Sequence, residues 1–141
     1  MYVKVTLKQL GKKRNKFQAV PFELEHSPAN VGELIRECVH TCVKEYRVRA
    51  AKVEQPMTEA EIEAQKEIGK IAFGIHYNEG KVNEQKAADT ALQAYEDGLF
   101  RIFRNEEELG EAGQELHLTE ADVLTLVRLT MLSGSYTSVY W

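Results

Sequence analysis

The apolar residues of this chain change period twice, and that change dictates the order in which strands and helices can be laid down. Val3, Val5 and Leu7 alternate with Lys4, Thr6 and Lys8, the period-two pattern of a half-buried strand. A polar loop from Gly11 to Lys16 interrupts it, and alternation resumes at Val20, Phe22 and Leu24. Two such runs joined by a polar loop predict an antiparallel hairpin. Pro21 has no N–H to give to a ladder, so the second strand is expected on a sheet edge. From Leu99 to Gly134 the text reads LFRIFRNEEELGEAGQELHLTEADVLTLVRLTMLSG. It predicts a strand at Phe100, Ile102 and Phe103, an acidic turn, and a short strand or turn at Leu116 and Leu118. A long strand over Val123 to Leu132 follows, apolar at most positions as in a strand near the middle of a sheet.

The stretch between these ends has helical periodicity. His26-Ser27-Pro28 closes the second strand and leaves Ser27 or Asn30 to cap a helix. Val31, Leu34, Ile35, Cys38, Val39, Cys42, Val43 and Tyr46 form its apolar stripe, while Glu33, Arg36, Glu37, His40, Lys44 and Glu45 take the other face. Gln55-Pro56 interrupts, and Thr58 with Glu61 predicts a capping box for a second helix. Its stripe of Ile68, Ile71, Ala72 and Ile75 is narrow, and Gly74 and Asn78-Glu79-Gly80 end it. A third helix carries Ala88, Ala91, Leu92 and Tyr95 and stops at Asp97-Gly98.

At 141 residues, 43% hydrophobic and 28% charged, the chain is expected to be one domain with a real core rather than a disordered segment. No run approaches the roughly 18–20 apolar residues that span a bilayer, so no membrane association is expected. MYVKVTLKQL lacks the pattern of a secretion signal, and the expected location is the cytoplasm. The first 22 residues hold six basic side chains and no acid, yet the net charge is −4, so the rest is strongly acidic. That acidic majority argues against a dedicated nucleic-acid binder.

The order strand, strand, helix, insertion, strand, short strand, strand resembles the ubiquitin-like β-grasp superfamily, and the local text agrees. MYVKVTLKQLGKK is similar to the first ubiquitin hairpin, FRIFRNEEEL to a later strand and turn, and ADVLTLVRLTMLSG to the final strand. The resemblance covers residues 1–50 and 99–134. It leaves 56–98 as a helical insertion and 135–141 as an aromatic tail. It implies an α+β fold: a mixed sheet of four to five strands, one packed main helix and an inserted helical pair, all in a single domain, 1–141. It also turns Leu124 and Leu126 into the core. Pattern alone prefers Val123, Val127, Leu129 and Met131 as the buried row, and a one-residue slip exchanges the faces. Inserted helices lying on the outer face would bury both rows.

Ubiquitin-like modifiers and carriers act through a terminal glycine carboxylate. Here Ser133-Gly134 is followed by Ser135 to Trp141, so a modifier reading requires cleavage after Gly134. Cys38 and Cys42 lie one helical turn apart in the apolar stripe; a zinc site needs about four ligands, and the sequence supplies no second pair. They are expected to be buried core cysteines. Glu106 to Glu115 lacks calcium-loop spacing and is expected to be solvated surface. His26, His76 and His117 are scattered, and the glycines form no phosphate loop. No enzyme, cofactor or metal is expected.

The expected function is a non-catalytic protein-interaction module. Its contact surfaces would be the basic hairpin Lys8, Lys12, Lys13, Arg14 and Lys16, the tail residues Tyr136, Tyr140 and Trp141, and the helical insertion. The insertion would cover the open sheet face, stand free as a docking surface, or pair with a second copy of the chain. The alternatives are the tail-processed modifier and a nucleic-acid-binding accessory protein using the basic loop.

Overall fold

In the computed structural model, residues 1–10, 19–50, 58–75, 77 and 82–129 are described. Lys12, Lys13, Arg14 and Lys16 of the basic loop, and the tail with Gly134, Tyr136, Tyr140 and Trp141, lie outside the described residues. Strand β1 (Tyr2–Leu10) pairs antiparallel with β2 (Val20–Glu23), with Val3 opposite Phe22 and Val5 opposite Val20. Helix α1 (Val31–Ala50) begins where the Asn30 Oδ1 accepts from the Glu33 N–H at 2.8 Å, so Asn30 is the cap. Helix α2 (Glu59–Ala72) has both halves of its capping box: the Glu61 N–H donates to Thr58 Oγ1 at 3.1 Å, and the Thr58 N–H to Glu61 Oε1 at 3.0 Å. It ends at Phe73, so Ile75, expected on the helix, lies just beyond it and is still buried. Helix α3 (Glu84–Glu96) is capped by Asn83 and closes at Asp97, where Gly98 takes the left-handed conformation, φ +76°.

Strands β3 (Phe100–Arg104), β4 (Glu107–Glu108) and β5 (Val123–Leu129) complete a mixed sheet of order β2-β1-β5-β3-β4. β1 and β5 are parallel and the other pairs antiparallel. The proline-bearing strand is at an edge and β5 is central, as the sequence predicts. The short strand differs from expectation. It forms inside the acidic turn at Glu107–Glu108, because Asn105 adopts φ +56°, which asparagine tolerates, and folds the chain straight back on β3. Leu116 and Leu118 are instead extended chain whose side chains enter the core, tied down by a lone bridge between Asn30 and Glu115.

Side chains alternate across a strand, so the pairing register sorts the sheet into two faces. Val3, Val5, Leu7, Val20, Phe22, Phe100, Ile102, Leu124 and Leu126 are all buried on one of them, in a core shared with the α1 stripe. The register implied by the resemblance therefore holds, with Leu124 at 0% and Leu126 at 1% exposure, while Val123 and Val127 stay half-exposed. Helices α2 and α3 neither cover the opposite face nor stand free. Ile68, Ala72, Phe73, Ala88 and Ala91 join the same core on the same side as α1. Small residues allow this: a side chain at Gly69 would run into the Tyr77 hydroxyl and the Cys42 Sγ, and the buried face of α3 is Ala88, Ala91 and Ala94. Such surfaces let helices approach closely. Among the described residues no helix is long and apolar enough to cross a membrane.

Candidate protein-interaction face

With all three helices on one side, the second sheet face has no helix against it among the described residues. Its residues follow from the register. Tyr2 stands opposite Glu23; Pro21, Lys4 and Val123 form the next row; Thr6, Thr125, Phe103 and Glu108 the next; and Lys8, Val127 and Arg101 the last. Tyr2 is 48% exposed, and Pro21, Val123, Val127 and Phe103 are half-exposed. The result is an apolar band across the central strands, with charge along it.

That charge is not evenly committed. Arg101 donates to Glu108 Oε2 at 2.7 Å across the β3–β4 edge. Lys4 and Lys8 are exposed and make no ion pair among the described residues. The face therefore carries two cations on β1 with no ion-pair partner among the described residues. A face of this composition can take an apolar surface with acidic groups beside it.

Lys8 lies on the open face. Cys38 and Cys42 are free and buried, and burial pushes both thiols up, Cys42 to about 12. A thiol held that far from ionisation is a poor nucleophile and metal ligand. We expect neither cysteine to react with a water-soluble thiol reagent until the chain unfolds; prompt release of thiolate chromophore from the folded protein would show that they are not core residues. The described glutamates at 106–108, 111 and 115 are exposed, as expected. No group of three or more His, Cys, Asp or Glu side chains able to hold a metal occurs among the described residues.

Three features went unread in the sequence. Val127 joins Lys4 and Lys8 on one surface through the parallel β1–β5 register, and Phe103 through the antiparallel β3–β5 pairing, neither of which a local pattern encodes. Gln65 sits in the α2 stripe, and its buried amide has no hydrogen-bond partner among the described residues. His40, on the polar side of α1, is drawn between two other elements. No family model, curated protein or solved structure matches this chain.

Proposed function

We propose that this chain is a non-catalytic protein-interaction module built as a ubiquitin-like β-grasp, and that it docks an acidic protein surface on its open sheet face. The observation that carries the reading is the exposed band of Pro21, Val123, Val127 and Phe103 beside Lys4 and Lys8, which lack ion-pair partners among the described residues. The β-grasp assignment is supported by the strand order β2-β1-β5-β3-β4, with its parallel central pair and α1 following the first hairpin. Burying an apolar band supplies affinity, and lysines at its margin steer an acidic partner and set its orientation.

The test is affinity capture with chemical cross-linking from the source cells, comparing the parent chain with the double variant Lys4→Glu, Lys8→Glu, with Val127→Arg, and with Lys86→Glu on the exposed side of α3 as control. Folding of each is checked by circular dichroism. A protein captured by the parent and the control, cross-linked to β1 or β5 and lost at least about tenfold in the two face variants, is the expected result; tenfold corresponds to about 1.4 kcal/mol. Equal capture by all four chains would sink the reading. Nuclease-sensitive capture would move it to nucleic acid, and recovery of a chain ending at Gly134 to a processed modifier.

A further inference from the structure

Apart from the open face, the densest ionic cluster among the described residues is built around His40. Its Nδ1 is 2.8 Å from Glu84 Oε2, in the first turn of α3. Its Nε2 is 2.9 Å from Oε2 of Glu25, just after β2, an ion-pair contact not aligned as a hydrogen bond. On α1 itself, Lys44 Nζ reaches the same Glu25 oxygen at 3.3 Å, and Arg47 lies 3.9 Å from Glu84 Oε1. Arg47 also donates to the Val82 carbonyl at 3.0 Å, and Arg36 faces Asp89 of α3 at 3.5 Å. Glu37 is turned away from the ring, accepting from the Glu25 and His26 backbone N–H groups.

A neutral imidazole has one N–H and one lone pair. If its proton serves Glu84, the lone pair on Nε2 faces a carboxylate oxygen at 2.9 Å. Only the imidazolium keeps a proton on Nδ1 for Glu84 while presenting positive charge to both carboxylates. We propose that His40 is a pH-sensitive clasp that ties the first turn of α3 to α1 and to the end of β2, closed when the ring is protonated and loosened when it gives its proton to solvent.

Partial burial opposes the charged ring, but the contacts with Glu25 and Glu84 outweigh it and raise its pKa. The stabilisation it provides is therefore complete below the ordinary histidine value of 6.5 and is lost as pH rises through the raised one. Glu25 runs the opposite way. Its contact with His40, then that with Lys44, lowers its pKa, so its share is present above the ordinary 4.5 and is lost as pH falls through the lowered value. The clasp is tightest between the two ordinary values. Above that window Arg47 still holds Val82 and Ala88 and Ala91 stay buried, so the start of α3 loosens while the helix stays docked.

The test is amide hydrogen exchange by NMR on the full chain between about pH 6 and about pH 8, the range a histidine titrates in, corrected for intrinsic rates. Amides of Ala87 to Ala91 are followed, with β5 amides as the reference for global opening. Protection in α3 is expected to fall relative to β5 by up to about tenfold per pH unit, the limit for one linked proton, and to be flat in His40→Gln. A flat profile in the parent chain, or an unchanged slope in His40→Gln, would overturn the proposal. Should His40→Gln not fold, Glu84→Gln decides: the midpoint of the His40 ring resonances must move down, and an unmoved midpoint overturns the clasp.

Discussion

Phe100→Ala is expected to destabilise the fold by about 3–5 kcal/mol, the range for removing a buried aromatic ring. Phe100 is 1% exposed on the first residue of β3. Its ring meets Phe73 edge-on, with centroids 5.6 Å apart, and Tyr95 at 5.5 Å. Phe73 follows α2 and Tyr95 is on α3, so this one ring joins both of these helices to the sheet. Tyr95 is pinned in turn: its hydroxyl donates to the Leu109 carbonyl at 3.1 Å and reaches the Gly110 carbonyl as well. Truncation leaves a cavity where three elements meet, and the loss should exceed the transfer energy of the ring alone. Urea unfolding followed by far-ultraviolet circular dichroism measures it. A change below about 1 kcal/mol, the size of an ordinary surface or mildly buried substitution, would mean that the docking of α2 and α3 does not depend on this ring.

Leu126→Ala and Val127→Ala, adjacent on β5, are expected to differ sharply. Leu126 is 1% exposed and lies between Leu7 and Ile102 in the register, so its loss should cost about 2–5 kcal/mol. Val127 lies on the open face between Lys8 and Arg101 and is half-exposed, so its loss should cost less than about 1 kcal/mol. Equilibrium unfolding of the pair is a direct reading of the strand's facing. The reverse ranking would place the other row of β5 in the core, because a slip of one residue moves every side chain to the opposite face.

That choice of face shows where reading the chain by pattern stops. Leu124 and Leu126 share the strand with Val123 and Val127, and all four are apolar. Hydropathy therefore has no contrast with which to orient β5. Contrast is strong in β1, where Lys4, Thr6 and Lys8 mark the exposed side, and its orientation is plain from the text. Pairing β1 with β5 transfers that orientation across the sheet. A similar limit explains β4: Glu107 and Glu108 carry no strand signal, and they pair with β3 because Asn105 turns the chain back. Leu116 and Leu118 do carry one, yet they serve the core as side chains without joining a ladder.

The His40 cluster was still less legible. Its spacing puts it on the polar side of α1, where a histidine is expected to face water. Glu25 and Glu84 are 15 and 44 residues away in the chain and meet it only when the hairpin and α3 close on α1. Nothing in either local sequence distinguishes these two glutamates from the other acids.

Local residue order specifies the elements: the edge strand from Pro21, the α1 stripe, the capping box of Thr58 and Glu61, the stop at Gly98, and the burial of Cys38 and Cys42. These follow from side-chain period, backbone freedom and local hydrogen bonding, which act over a few residues. Contacts across the fold put α2 and α3 on the same face as α1, leave the opposite sheet face with no helix against it among the described residues, and bring Lys4, Lys8, Val127 and Phe103 onto one surface. Those outcomes depend on contacts between residues far apart in the chain, where small side chains at Gly69, Ala88 and Ala91 set how closely the helices approach and strand register sets which side chains lie together.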